Sequence, residues 1–302
     1  MVKATVERVL VGAGVPSWSA RMHRQDVCIL AYHNVVPDDL GPVGDVSLHL
    51  PRRDFRDQLD DVGRRFDIVP LTELYAAPAR RARPRVAITF DDAYQGALAI
   101  GIEELARRGF PATMFVAPEI LGRRSLWWDV FAPPARGSSG GLSAAIREEA
   151  LTECAGRDAR VREWAQRAGW ASYALPEPAL TGTEAELVAA CARHSGLTLG
   201  SHSWSHANLT RLDAPGLDAE LRPSLDWLRQ RFDRTIDWLA YPYGYSSPVV
   251  AAAAREAGFR AGLLVGGGWA RGEGDDAFAV PRVNVPAGIS RAGFAIRMSG
   301  LT

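Results

Sequence analysis

The chain has 302 residues, 47% of them hydrophobic, which is enough apolar material to build a large buried core. Its 35 basic and 35 acidic residues cancel, so no global field attracts nucleic acid or an anionic membrane surface, and we expect neither as a partner. Three cysteines, odd in number and without metal-type spacing, favour free thiols and a cytoplasmic location over a disulfide framework. Nothing in these numbers indicates an oligomeric state.

The first 26 residues contain one short apolar patch, at 9–15. The patch is too short and too rich in glycine for a membrane span, and no convincing signal-peptide cleavage region accompanies it. We therefore interpret 1–26 as a helical extension that lies against the domain, and we predict no membrane span and no export signal.

Apolar runs with the composition of buried strands alternate with amphipathic, helix-like segments. The predicted strands are 27–35, 67–71, 86–90, 112–116, 197–200, 236–241, 261–265 and 278–285. The predicted helices are 51–65, 97–108, 183–194, 214–232, 251–258 and 291–298, with Pro223 expected to kink or split the longest one. This alternation, with polar residues gathered after strands, predicts an α/β fold and a (β/α) barrel whose site lies at the C-terminal rim.

Two adjacent carboxylates, Asp91 and Asp92, come soon after the apolar run 86–88, where the predicted strand gives way to a loop. Successive residues leave a strand in opposite directions, so one carboxylate can bind a cation while the other accepts a proton. The competing interpretation is a helix N-cap beside a solvated neighbour. The aspartate pair alone does not decide between these two interpretations.

Two histidines, His202 and His206, follow another apolar run. At this spacing they are expected to meet on one face of a helical turn, where two imidazoles can share a metal ion. With Asp92 they would form a site that keeps coordination positions open for water and substrate. The alternative is a pair of polar histidines at a helix entrance, stacked on Trp204.

Residues 121–182 interrupt the alternation of strands and helices. They hold Trp127-Trp128-Asp129, a small-residue loop at 135–141 and helical stretches at 144–155 and 161–168. A tryptophan beside an acid can stack on the apolar face of a pyranose, but it can equally fill a core. We expect an insertion that shapes the binding groove or makes an oligomer contact.

Three segments resemble, in their order and spacing, the motifs of the polysaccharide deacetylases, carbohydrate esterase family 4. They are Thr89-Phe90-Asp91-Asp92, His202-Ser203-Trp204-Ser205-His206 and Trp238-Leu239-Ala240-Tyr241-Pro242-Tyr243-Gly244. The resemblance implies a distorted (β/α) barrel with fewer than eight regular units and a helical insertion near residues 121–182, in one domain spanning 1–302.

The resemblance also implies residue roles. Asp91 would be the general base, and Asp92, His202 and His206 the ligands of one divalent metal ion. Zinc suits these nitrogen and oxygen ligands best, and cobalt or nickel would fit the same site. The predicted sugar contacts are Tyr241, Pro242, Tyr243, Trp204 and Trp128.

His33 ends the first strand, where a lone histidine is typically structural. Its setting, Tyr32-His33-Asn34-Val35, is similar to a permuted branch of the deacetylases in which the strand with the catalytic-acid histidine comes first. That likeness implies that His33 is the general acid.

Many family members have an arginine at the place of Ala240, where it contacts the catalytic aspartate. The late strand 278–285 offers Arg282 as a substitute, which a barrel could bring back to the site. The competing interpretation is an exposed arginine at the barrel end with no role.

The predicted function is a metal-dependent hydrolase that removes an N-acetyl group from an amino sugar in an oligosaccharide, glycolipid precursor or glycosylated metabolite. One alternative is a metal-dependent amidase acting on a non-sugar N-acyl substrate. Another is a catalytically silent glycan-binding domain, suggested by the missing arginine at Ala240. Retention of both aspartates and three histidines favours an enzyme.

Overall fold

A computed structural model describes residues 7, 12–14, 22–23, 26–75, 83–133, 141–271 and 275–300. Most of the predicted N-terminal helical extension, the loop at 135–141 up to residue 140, and part of a basic connector at 80–84 lie outside the described residues. In the part that is described, no helix is both long enough and apolar enough to cross a bilayer.

One curled, all-parallel sheet organises the molecule. The strands in chain order are β1 (Val27–Tyr32), β2 (Asn34–Val36), β3 (His49–Pro51), β4 (Asp67–Ile68), β5 (Arg85–Phe90), β6 (Ala112–Val116), β7 (Leu197–Ser201), β8 (Thr235–Ala240), β9 (Ala261–Leu263) and β10 (Val283–Asn284). The sheet order is β10-β1-β5-β6-β7-β8-β9, β4 pairs with the start of β5, and β2 with β3 forms a separate parallel pair.

The central strands are covered on both faces. All six residues of β1 and all six of β5 are buried, which explains why they appear as continuous apolar runs without alternation. Successive side chains of β1 enter different cores: Leu30 packs with Phe55 on the helix side, whereas Ile29 packs with Phe115 inside the curl.

Residues 277–285 connect the two edges of the curled sheet. Val280 exchanges backbone hydrogen bonds with the β9 edge, and Val283 pairs with Leu30 of β1. The segment thus passes from the last strand to the first and carries Arg282 across the gap between them. The predicted distorted α/β barrel with fewer than eight regular units is confirmed.

Nine α-helices lie within the described residues. They are α1 (Arg52–Arg65), α2 (Ile102–Arg108), α3 (Trp127–Val130), α4 (Ala144–Glu153), α5 (Asp158–Arg167), α6 (Glu184–Arg193), α7 (Ala214–Arg231), α8 (Pro248–Glu256) and α9 (Arg291–Arg297). A π-helical turn at Ala97–Gly101 precedes α2, and Thr183 with Glu186 forms a capping box at the start of α6.

Of the two outcomes expected at Pro223, a kink or a split, the split does not occur, because α7 runs through the proline as one helix. Leu217 and Leu221 are buried before the proline, and Leu225 and Leu228 are buried after it. The packing of this apolar face outweighs the backbone hydrogen bond that proline removes.

Candidate active site

The C-terminal ends of β1, β5, β7 and β8 surround a cavity of about 380 Å³. Parallel strands place the residues that follow them at one rim of a barrel, which is why distant segments converge here. Eight predicted site residues line this cavity: His33, Asp91, Asp92, Trp128, His202, His206, Tyr241 and Tyr243.

Asp92, His202 and His206 form a compact, buried cluster. One potential ligand atom from each lies within 4.8 Å of the others. Asp92 Oδ1 is 3.1 Å from His206 Nε2 and 3.5 Å from His202 Nε2. The carboxylate and both imidazoles therefore point at one location.

The cluster fits a divalent cation. His202 Nδ1 donates to the carbonyl oxygen of Ala240 at 2.7 Å, which leaves a lone pair on Nε2 facing Asp92. Burial, opposed by the charge of Asp91, lowers the pKa of His202 to about 4, so this imidazole is neutral at pH 7. Asp92 Oδ1 is buried with no aligned hydrogen-bond donor. Lone pairs converging in a dry site are the donor set that a metal ion satisfies.

Left-handed backbone conformations orient the side chains of this cluster. Asp92, Ser203 and His206 have φ of 68°, 64° and 61°, a region that costs most non-glycine residues energy and is found at functional sites. The segment 202–206 is a loop, so the prediction that the two histidines meet on a helical turn is wrong. Their rings still approach, with centroids 4.6 Å apart.

Glu220 on α7 holds this histidine loop. Its carboxylate accepts hydrogen bonds from the backbone N–H groups of Trp204 and Ser205, at 3.1 and 2.8 Å, and from Ser205 Oγ at 2.5 Å. Sequence reasoning missed Glu220, since it lies on a helix whose leucine pattern indicates only core packing. A buried glutamate on an apolar helix face is the one signal that could have identified it.

Asp91 is paired with Arg282, the residue that the sequence offered as a substitute for the arginine missing at Ala240. Two guanidinium nitrogens of Arg282 donate to the two oxygens of Asp91, each at 2.8 Å, and neither side chain is exposed by more than 2%. Burial alone would raise the pKa of Asp91, but the charge of Arg282 and its hydrogen bonds to the carboxylate hold that pKa below its usual range. The alternative of an exposed arginine is wrong. Arg282 lies behind Asp91 and does not line the cavity.

His33 follows β1 and lines the same cavity as both aspartates. The half-buried imidazole is open to the cavity, where a substrate would meet it.

Of the five residues predicted to contact a sugar, three line the cavity and two do not. Trp128 and Tyr243 form a wall beside His206, with ring centroids 4.8 and 4.6 Å from its ring. Tyr241 lines the cavity, while its hydroxyl donates to the Phe278 carbonyl oxygen in the core. Trp204 and Pro242 are not among the described residues that line the cavity. The backbone N–H of Trp204 is bound by Glu220, and Pro242 begins the short turn that contains Tyr243.

A buried polar network supports Trp128, and sequence reasoning missed it. Asp129 accepts hydrogen bonds from Tyr94 Oη at 2.6 Å, from His49 Nε2 at 3.0 Å and from the backbone N–H of Asp45 at 2.8 Å. Trp128 Nε1 in turn donates to Tyr94 Oη at 2.9 Å. These bonds tie the insertion to β3 and to the loop after Asp92, so they fix the wall of the cavity.

The barrel carries paired carboxylates and two histidines on its C-terminal rim, which are the residue types that metal-dependent hydrolases use. A family model for polysaccharide deacetylase matches residues 79–262, more than half of the chain. The chain belongs to the polysaccharide deacetylase family, whose members are generally metal-dependent and act on N-acetylated carbohydrates. His33 and Arg282 lie outside the matched residues.

Solved structures share the fold. A Streptococcus pyogenes deacetylase, PplD, in complex with acetate has 17% identity and a TM-score of 0.61, over 90% of this chain and 98% of that one. IcaB from Ammonifex degensii has 16% identity and a TM-score of 0.59, over 91% and 96%. The polysaccharide deacetylase BC0361 from Bacillus cereus has 16% identity and a TM-score of 0.58, over 90% of this chain and 69% of that one. No curated protein matches the sequence.

Proposed function

We propose that this protein is a metal-dependent N-deacetylase that removes the acetyl group from an amino sugar. The observation that supports this proposal is the convergence, around one cavity, of a cluster of one carboxylate and two histidines and of a second carboxylate held by a buried arginine. The sugar would belong to an oligosaccharide, a glycolipid precursor or a glycosylated metabolite. The family and the deacetylase names of the solved relatives support the same chemistry.

Asp92, His202 and His206 would hold the metal ion. Their oxygen and nitrogen donors suit zinc, and cobalt or nickel fits the same ligands. A cation bound there would polarise the amide carbonyl and lower the pKa of a water molecule. The hydrogen bond from His202 to the Ala240 carbonyl oxygen fixes the tautomer that ligation requires.

Asp91 would accept the proton of the attacking water. It must be ionised to do so, and the two hydrogen bonds from Arg282 favour the charged form. They also fix the plane of the carboxylate, so that its free lone pairs keep one direction toward the cavity.

His33, in its protonated form, would deliver a proton to the departing nitrogen. An amine anion is a very poor leaving group, so C–N cleavage needs this proton. A backbone N–H near Tyr243 would stabilise the charge that develops on the carbonyl oxygen. Trp128 and Tyr243 would contact the sugar.

The domain organisation is part of the proposal. Residues 1–302 would form one deacetylase domain, with 1–26 as an extension and 121–182 as an insertion that supplies the Trp128 wall. The permuted order of elements, which places the strand of His33 first, also stays a prediction.

Acetate release from a substrate panel tests this function. Zinc-loaded protein is incubated with N-acetylated mono- and oligosaccharides and with N-acetylated amino acids. We expect acetate from the sugars, lost after chelation and restored by added zinc. Acetate from the amino acids alone would support an amidase instead, and glycan binding without acetate would support a silent binding domain.

A further inference from the structure

The two histidines of the metal cluster are held in different ways. His202 donates from Nδ1 to the Ala240 carbonyl oxygen, and this hydrogen bond fixes the orientation of its ring. Nδ1 of His206 is buried, and within the part of the chain that the structure describes it has no hydrogen-bond partner. Aromatic packing is what orients this imidazole, because the rings of Tyr243 and Trp128 lie against it, with centroids 4.6 and 4.8 Å away.

Trp127, at the start of the insertion's first helix, holds the Tyr243 ring. Resting on the metal site of the proposed function, we propose that Trp127 is a positioning residue for His206. Its indole N–H binds the hydroxyl of Tyr243, and the Tyr243 ring in turn keeps the imidazole in the orientation that metal binding requires. Trp127 is not among the described residues that line the cavity, so it acts through Tyr243.

Three hydrogen bonds join the polar ends of Trp127 and Tyr243. Trp127 Nε1 donates to the Gly156 carbonyl oxygen at 3.1 Å and to Tyr243 Oη at 3.2 Å. Tyr243 Oη donates to the same carbonyl oxygen at 3.1 Å, so the hydroxyl accepts one bond and donates another. Gly156 has a left-handed φ of 63°, and a Cβ there would lie 2.7 Å from Tyr243 Oη, so this close approach requires glycine.

The backbone of Tyr243 is fixed as well. Tyr243 has a φ of 60°, a conformation that costs a non-glycine residue energy and persists only where the surroundings hold it. The next residue, Gly244, has a φ of 75°, and a Cβ there would lie 2.8 Å from the side chain of Val265. The Tyr243 ring is therefore held at its backbone and at its hydroxyl, and it meets the His206 ring at an interplanar angle of 88°.

Trp127 also supports Trp128, the second ring against His206. The two indoles pack edge to face, with centroids 5.3 Å apart and planes at 82°. Trp128 meets Tyr243 in the same manner, at 5.8 Å and 83°. Aromatic pairs favour this geometry, and Trp127 is completely buried among these rings. Both rings that orient His206 thus depend on one residue of the insertion.

Zinc affinity, measured by titration against a chelator of known affinity, tests the proposal without a substrate. Trp127→Phe and Tyr243→Phe each keep an aromatic ring but remove one partner of the hydrogen bond between the two residues. We expect each variant to bind zinc about tenfold more weakly, because groups that orient a metal ligand contribute on this scale. The double variant should lose much less than the product of the two single effects, because both changes break the same bond.

Trp164→Phe is the matched control, because Trp164 is another tryptophan of the insertion and packs on Trp170, with ring centroids 4.6 Å apart. It should bind zinc as the wild type does. The visible absorption of cobalt-loaded protein reports the geometry of the ligands, so it should change in Trp127→Phe and Tyr243→Phe but not in the control. If Trp127→Phe does not fold, Tyr243→Phe, which removes only one oxygen atom, decides the test.

Metal binding separates this proposal from the deacetylase function. Absence of acetate from every sugar, together with the expected losses of zinc affinity, would refute the deacetylase function and support the role of Trp127. Wild-type zinc affinity and an unchanged cobalt spectrum in Tyr243→Phe, or two losses that multiply in the double variant, would overturn that role.

Discussion

Among single residues, the pairing of Asp91 with Arg282 matters most for the carboxylate that we propose as the general base. Both side chains are buried, and a buried ion pair gains little net stability once desolvation is counted. Its effect on the site is specific, because it keeps the buried Asp91 charged and fixes its orientation. Arg282 Nε also donates to the Leu264 carbonyl oxygen, and Nη1 to Thr89 Oγ1, so the guanidinium has one position.

We predict that Arg282→Lys lowers kcat/KM by about 100-fold while zinc affinity stays the same, because lysine keeps the charge but cannot make the two-point contact. The acid limb of the pH–rate profile should move to higher pH, since weaker stabilisation raises the pKa of Asp91. Kinetics across pH and a zinc competition titration measure both effects.

The control for this change is Arg229→Lys, because Arg229 makes a surface ion pair with Asp237 far from the cavity. Wild-type kinetics and an unmoved acid limb in Arg282→Lys would show that the contact with Asp91 has no role in turnover.

The residue pattern predicted only part of this site. Asp91, Asp92 and the two histidines occur in short motifs, so their grouping could be inferred from the sequence. Arg282 is 191 residues from Asp91, and it could be proposed only from a barrel resemblance. Asp129 gave no signal of its own, since its role depends on Tyr94 and His49, which only the fold brings to it.

At the scale of elements, the loop after β7 is shaped by its partners rather than by helix propensity. Ser203 Oγ accepts a hydrogen bond from the N–H of His206, and Glu220 of α7 satisfies the two N–H groups between them. The four-residue spacing of the two histidines predicted that their imidazoles meet. It could not reveal Glu220, which lies 15 residues after Ser205.

We expect Glu220→Ala to weaken zinc binding by about tenfold or more, because two partly buried N–H groups lose their acceptor and the loop that carries the two histidines relaxes. Titration against a chelator of known affinity measures this. Thermal unfolding of the metal-free protein shows whether the variant folds.

Asp218→Ala is the matched control, on the same helix but with a largely exposed side chain paired to Arg222. If the two variants bound zinc equally well, Glu220 would have no part in holding the metal site.

At the scale of the whole molecule, the site depends on segments from both ends of the chain. The family match covers 79–262, yet His33 comes from β1 and Arg282 from the segment that joins the sheet edges. Strand–helix alternation predicted the parallel barrel. It could not predict how the edges are joined, or that Arg147 of the insertion would line the cavity beside the predicted Trp128, because those contacts are tertiary and leave no periodic signal.

We predict that the metal-free protein loses stability as the pH falls from about 6.5 to about 4. The pKa of His202 is lowered to about 4 on folding, so over this window the unfolded state binds more protons than the folded state. Asp91 and Asp92, whose pKa values are also lowered, add a further loss at more acidic pH as they protonate.

Urea unfolding in the presence of a chelator, at several pH values, gives the free energy of unfolding. In His202→Gln the slope between pH 6.5 and 4 should be shallower than in the wild type. An equal slope in both proteins would mean that His202 is not held in its neutral form by burial.

We propose different roles for the two adjacent aspartates, and a paired measurement on two variants distinguishes them. Zinc content and acetate release from an N-acetylated oligosaccharide are measured for Asp91→Asn and Asp92→Asn. We predict that Asp91→Asn keeps one bound zinc and loses turnover by about 100-fold or more, while Asp92→Asn loses the zinc itself. Substantial turnover in zinc-loaded Asp91→Asn, or full zinc occupancy in Asp92→Asn, would contradict it.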